Sequence, residues 1–185
     1  MEINMETVIH DDDPRIRQHS ADVNIPLSKE DAELLFKMHQ YVAESQDEQI
    51  AEAKNLQPAV GIAAIQLGIP KKMIAVVVPI DEDHIFEFAL ANPKIISRSR
   101  ELAALQTGEG CLSVPETKEG YVFRSNRIKV RGYDLLTDQE VTIKAEGYPA
   151  IVLQHEIDHL SGKLYYDHIN QKNPYQIPDN AVVLE

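Results

Sequence analysis

Pro149-Ala150-Ile151-Val152-Leu153-Gln154-His155-Glu156-Ile157-Asp158-His159-Leu160-Ser161-Gly162 is the segment from which the rest of the chain can be read. Proline suits the first turn of a helix and glycine the position just past its end, so the punctuation predicts one helix between them. Ile151, Val152, Leu153 and Ile157 make that helix a buried one. His155 and His159 stand at i and i+4 on one face, where both imidazoles can reach a single metal ion. Glu156 is swung about 100° around the axis from the first histidine, beside such an ion rather than on it. Two imidazoles and a carboxylate forced into a core need partners, because unsatisfied buried polar groups cost several kcal/mol. The pattern arises by chance in roughly 2 of 100 chains of this composition, and chance would not also bury it. A metal site explains these residues better than solvated side chains on an exposed helix.

A catalytic site of this kind takes three protein ligands and leaves one position open. His168 lies past Gly162, so it cannot serve from the same helix. Cys111, in Glu109-Gly110-Cys111-Leu112-Ser113, is the other candidate. A thiolate is a strong ligand for zinc or ferrous iron, and Gly110 is expected to let the backbone approach the metal. A lone cysteine also reads as a small buried hydrophobe. A zinc peptidase with a third His or Glu ligand, and glutamate as general base, is the first rival.

The remaining chain supplies a scaffold. Ser28-Lys29-Glu30-Asp31 resembles a capping box, followed by Leu34, Leu35, Met38, Tyr41 and Val42 on one helical face. A second short helix is expected over Asp47 to Lys54. Met73 to Val78 reads as a buried strand ending at Pro79, and His84 to Leu90 as a looser strand broken by Asn92-Pro93. Arg127 to Tyr133 and Glu140 to Ala145 read as a hairpin, and Ala181 to Leu184 as a final strand. Helices and strands do not alternate regularly, so the expectation is an α+β fold, mainly antiparallel sheets around the central helix that bears the histidines.

The 185 residues predict one domain, 1–185. With 43% apolar and 26% charged residues the chain can bury a core, and its net charge of −12 opposes nucleic-acid binding. The longest basic clusters are Lys71-Lys72 and the Arg98, Arg100 pair, far short of a patch. No apolar stretch is long enough to span a membrane, and Met1 to Asp13 lacks the features of a signal peptide. Cys111 is alone, so no disulfide is expected, and a cytoplasmic protein is. Asp11-Asp12-Asp13 reads as a solvated turn before Pro14. His10, His19, His39 and His84 fit no ligand spacing and are read as surface or capping residues.

Three segments together resemble the peptide deformylases: Val60-Gly61-Ile62-Ala63-Ala64-Ile65-Gln66, then Glu109-Gly110-Cys111-Leu112-Ser113, then Gln154-His155-Glu156-Ile157-Asp158-His159. Their order and spacing match, and the insertion around Ser45 to Lys54 with a non-helical tail is similar to the type 2 form of Gram-positive bacteria. Ala59 stands where that family usually has glycine, and Ile65 where proline or threonine is commoner. The resemblance implies Cys111, His155 and His159 as metal ligands with a water in the fourth place, and Glu156 as general base and then acid. It implies Gln66 and the Leu112 N–H as donors to the oxyanion. The backbones of Val60, Gly61 and Gly110 would hold the peptide as an added strand, and Val60, Tyr148, Ile151, Val152 and His155 would surround the methionine side chain. Asp158 is expected to pair with Arg124. The implied reaction removes the N-formyl group from formyl-methionyl peptides, releasing formate. The implied metal is Fe2+, with Zn2+, Ni2+ or Co2+ as substitutes. The implied partners are N-formyl-methionyl nascent peptides and, transiently, the ribosome, with no DNA and no membrane. The second rival is an inactive deformylase-like chain that only binds peptide or metal.

Overall fold

Ser28 accepts a hydrogen bond from Asp31 N at 3.1 Å and so starts α1 (Lys29–Ser45) where the capping pattern places it. The computed structural model describes residues 1–185. Asp47 caps the short α2 (Glu48–Lys54) in the same way. Then follow β1 (Gly61–Ala63), β2 (Met73–Pro79), β3 (Ile85–Arg98), β4 (Leu102–Leu105), β5 (Arg124–Ser125), β6 (Arg127–Asp134), β7 (Gln139–Glu146), α3 (Tyr148–His159) and β8 (Ala181–Leu184). No helix is long and apolar enough to cross a membrane.

Five strands form one antiparallel sheet in the order β1-β2-β3-β6-β7. The second sheet, β5-β4-β8, joins distant parts of the chain, and its β4–β8 pair is parallel. The α+β architecture and the α3-centred arrangement are therefore as the residues indicated.

At β2 the large sheet is buried on both sides, which explains the unbroken apolar run of that strand. Met73, Ala75 and Val77 point into a cluster with Leu35, Met38 and Val42 of α1. Ile74, Val76 and Val78 point the other way, into a cluster with Val152 and Leu153 of α3. Each fully buried Leu, Ile, Val or Met contributes about 1.5–3 kcal/mol relative to exposure. Leu34 is only partly buried at the rim of the first cluster.

The structure corrects one boundary. Asn92-Pro93 does not end β3, which runs on for 14 residues to Arg98. The register shifts between Ala91 and Lys94, so Pro93 sits at an irregularity where its missing N–H is not needed. Asn92 adopts φ 51° and its side chain grips both Val23 N (2.8 Å) and Val23 O (2.9 Å). A second correction concerns His39. It is not a surface residue: its side chain is 15% exposed and stands 3.9 Å from Glu87.

At the end of α3 the backbone turns at Gly162, with φ +71°. A Cβ there would lie 2.2 Å from Arg17 O, so only glycine allows both the turn and the contact with the N-terminal segment. That turn directs the chain away from α3, and His168 leaves the helix with it.

Candidate metal centre and active site

Four segments converge on the cleft beside α3. The helix supplies His155, Glu156 and His159, and the loop after β4 supplies Cys111. The 3-10 turn after β1 (Ala64–Leu67) supplies Gln66, and β1 itself supplies Gly61. The cleft has a volume of about 930 Å³.

Cys111 Sγ lies 3.5 Å from His159 Nε2, and one ligand atom from each of Cys111, His155 and His159 falls within 4.8 Å of the others. A thiolate and two imidazoles are a donor set for zinc or ferrous iron. His155 is oriented by Glu109, whose Oε1 lies 2.7 Å from His155 Nδ1, which leaves Nε2 for the cleft. Although burial alone would lower it, the His155 pKa is raised by hydrogen bonds to Cys111 and Glu109. The surroundings that favour a proton there favour any cation. Burial and the neighbouring His155 charge push His159 well below the ordinary histidine range, keeping it neutral as a ligand must be. The residues present therefore fit a divalent metal held by Cys111, His155 and His159. His168 takes no part, being held by Asp158 at 2.7 Å.

Glu156 is 4% exposed and its Oε1 has no hydrogen-bond partner. That oxygen stands 4.0 Å from His159 Nε2, facing the three ligand atoms. Burial raises its pKa to about 7. Gly61 makes room for it. A Cβ at Gly61 would come within 2.6 Å of Glu156 Oε2 and 2.8 Å of its Cγ.

Gln66 is fixed in orientation. Its Oε1 accepts from Ala63 N at 2.9 Å, so its Nε2 donates toward Ser113 Oγ (3.1 Å) and lies 3.6 Å from Cys111 Sγ. Leu112 is buried, and its N–H has no acceptor within the protein. Gln66 and Leu112 both line the cleft. Val77 N donates to Val60 O, and Gly61 lies opposite Val76. Alternation of an antiparallel ladder then turns the Gly61 N–H and C=O away from β2, toward the free edge beside the cleft. Val60, Gly110, Tyr148, Ile151 and Val152 all line the cleft. Ile151 and Val152 are nearly inaccessible, and Val152 also belongs to the α3-side core, so it has both roles.

A Cβ at Gly110 would meet nothing within 4 Å, so Gly110 opens on the cleft. Ala59 needs no strained backbone, since it does not adopt a positive φ. Its N–H donates to Ser45 Oγ (3.1 Å), and its carbonyl accepts from Gln46 Nε2 (3.0 Å). The methyl replacing the family glycine is thereby accommodated.

Arg124 donates to Asp158 Oδ2 at 2.8 Å, as expected, and also grips Glu109 with two hydrogen bonds of 2.8 and 3.0 Å. Burial would raise the Glu109 pKa, but His155 and Arg124 hold it at about 2. The supporting roles of Glu109 and Ser113 were not read from the sequence. The signal was available for Glu109, since a metal-bound histidine almost always gives its other nitrogen to a carboxylate or carbonyl.

A family model, polypeptide deformylase, matches residues 5–175. Peptide deformylase 2 of Bacillus anthracis is 48% identical over 183 residues, 99% of each chain. The peptide deformylase of Ligilactobacillus salivarius is 45% identical over 186 residues, covering 99% of this chain and 100% of the relative. Among solved structures, peptide deformylase from Ehrlichia chaffeensis in complex with actinonin is similar with a TM-score of 0.72 at 29% identity, covering 94% of this chain and 92% of that one. A Met-Ala-Ser-bound class I type b peptide deformylase from Acinetobacter baumannii gives a TM-score of 0.71 at 29% identity, covering 91% and 100%. Agreement that runs almost from end to end, in sequence and in fold, settles the kinship: the chain belongs to the peptide deformylase family, the hydrolases that take the N-formyl group from newly made peptides.

Proposed function

We propose that residues 1–185 form one catalytic domain that deformylates N-formyl-methionyl peptides at the Cys111, His155, His159 centre. The observation that carries this reading is Glu156: a buried carboxylate with an unpartnered oxygen aimed at three converging ligand atoms. A divalent metal bound there supplies Lewis acidity, which can bring the pKa of water from 15.7 to about 7. Glu156, poised at about 7, is matched to accept a proton near neutral pH and return it to the departing amine nitrogen. Gln66 Nε2, held in the cleft by the Ala63 N–H to Oε1 hydrogen bond, and the unengaged Leu112 N–H serve as donors to the formyl oxygen as it gains charge. The Gly61 edge, with Val60 and Gly110, holds the peptide backbone as an extra strand. Tyr148, Ile151 and Val152 take the methionine side chain.

The metal in this reading is Fe2+, with Zn2+, Ni2+ or Co2+ as substitutes. The donor set suits zinc equally well by geometry, and iron rests on the resemblance to the family. The place of work is the cytoplasm, where nascent formylated peptides emerge from the ribosome.

The test is formate release from formyl-Met-Ala-Ser by protein loaded anaerobically with Fe2+, beside Cys111→Ser. Formate from the wild type, and loss of both metal and formate in the variant, is the expected result. Full metal retention by Cys111→Ser would move the third ligand elsewhere and favour the peptidase reading.

A further inference from the structure

Val77 N donates to Val60 O at 2.9 Å, so these two residues extend the β1–β2 ladder by one hydrogen-bonded pair. Such an antiparallel pair exchanges two bonds, one in each direction. Here the return bond is missing, and the Val60 N–H has no acceptor in the protein. Val77 O is taken instead by the side chain of Gln46, whose Nε2 donates to it at 2.8 Å. The same nitrogen donates to Ala59 O at 3.0 Å. Both partners are carbonyls, so only the nitrogen end of the amide can face them.

Neither the helix nor the loop requires this side chain. Gln46 follows α1, and its own N–H already closes that helix on Ala43 O and Glu44 O. The segment 57–59 is held by other groups: the Tyr41 hydroxyl donates to Gln57 O (3.0 Å), and the Ala59 N–H donates to Ser45 Oγ (3.1 Å). Val77 O needs no side chain either, since the Val60 N–H is the donor that the ladder offers it. What Gln46 alone achieves is a half-buried N–H left unspent on a residue that lines the cleft. Such a donor costs free energy until something accepts from it.

We propose that Gln46 is a positioning residue for the substrate: by holding Val77 O, it keeps the Val60 N–H free to donate to the peptide. This rests on the deformylase reading, in which the peptide lies along the Gly61 edge. Gly61 abuts Glu156, beside the reacting formyl amide, so Val60 stands one residue further along the substrate. The first acceptor to arrive there is the backbone carbonyl of methionine. With Gln46 in place, no ladder bond has to break before that carbonyl binds, and the donor is set in advance. Without it, Val77 O would recover the Val60 N–H, and the peptide would have to compete for it.

The experiment uses full-length, metal-loaded protein. Gln46→Met keeps the length of the side chain and removes its amide; Gln46→Asn, one methylene too short for both carbonyls, is the second variant. Two substrates are compared. One is formyl-Met-Ala-Ser; the other is the formamide of 3-(methylthio)propylamine, which keeps the formyl amide and the thioether and lacks the methionine carbonyl. Loss of one hydrogen bond predicts a KM for formyl-Met-Ala-Ser about 5- to 10-fold higher in both variants, with kcat little changed. On the carbonyl-free formamide, kcat/KM should match the wild type. Hydrogen exchange at Val60, read by NMR on Zn2+-loaded protein, supplies a measure independent of turnover. The Val60 N–H should exchange freely in the peptide-free wild type and slow when Met-Ala-Ser binds. In Gln46→Met it should be slow already without peptide. An equal fall of kcat/KM on both substrates would overturn the proposal, because a merely structural tether acts on both. Unchanged kinetics on both, or a Val60 N–H protected in the peptide-free wild type, would overturn it as well. Absence of formate from the wild type would strike the deformylase reading instead, while Val60 exchange slowed by Gln46→Met would still establish the Gln46 tether.

Discussion

The two faces of the large sheet bury almost equal clusters, 18 residues on the α1 side and 19 on the α3 side, yet they are built for different ends. Under α1 the packing is mostly hydrocarbon; Asp31 and Ser45 are each satisfied by a partner, and His39 Nε2, on the same helix, is left without a hydrogen bond. Around α3 stand Glu109, Arg124, Gln154, Glu156 and His159, all buried. Such groups do little for stability, since desolvation offsets most of their attraction, and Glu156 Oε1 and His159 Nδ1 lack partners altogether. One face holds the protein together; the other holds a reactive arrangement that the first makes tolerable.

The largest expected effect tests the α3 side. Glu156→Ala should lower kcat on the order of 10³-fold while metal content, read by elemental analysis, stays at wild-type level. Thermal stability should not fall, because a buried unpartnered carboxylate is removed. A sharp drop in Tm would mean that Glu156 is structural and would break the contrast. Gln66→Ala should cost 10²–10³-fold in kcat, about 3–4 kcal/mol, with little change in KM. Gly61→Ala should lose about 100-fold, since its Cβ would displace the Glu156 carboxylate it touches. Steady-state kinetics separates these two, because the Gly61 change also disturbs the peptide-binding edge and should raise KM.

Across the sheet the outcome should reverse. Leu35→Ala, at a fully buried α1 position, should destabilise by about 3 kcal/mol in urea unfolding and leave kcat of the folded protein unchanged. A matching fall in kcat would show that the faces are coupled and not separate. The smallest effect belongs to the α1 cap: Ser28→Ala should cost about 1 kcal/mol, seen as a lower urea midpoint with no kinetic consequence.

Much of this was legible in the chain. The α1 cap, the two-sided burial of β2, the β6–β7 hairpin and the α3 punctuation all follow from local pattern and steric rules. The histidine pair and Glu156 could be placed relative to one another because a helix fixes their angles. Beyond one element the reading weakened. Asn92-Pro93 looks like a stop, yet a bulge lets β3 continue, and only its partner β6 makes that continuation worthwhile. The parallel β4–β8 pair joins residues about 80 positions apart, a closure no local signal announces. Glu109 lies 46 positions from the His155 it orients. Gln46 lies 31 positions from Val77, and only the folded sheet brings its amide to that carbonyl.

The sequence by itself determined where α1, α2, α3, β2 and the β6–β7 hairpin form and which residues are candidates for the chemistry, because periodicity, capping and ligand type are properties of short segments; the short strands β1, β4 and β5 carry no such pattern. Only the tertiary structure decided where Cys111 and Gln66 meet α3, which carboxylate steadies His155 and which carbonyls Gln46 takes. Those are contacts between segments far apart in the chain, set by how the sheet packs between two helices and not by any segment alone.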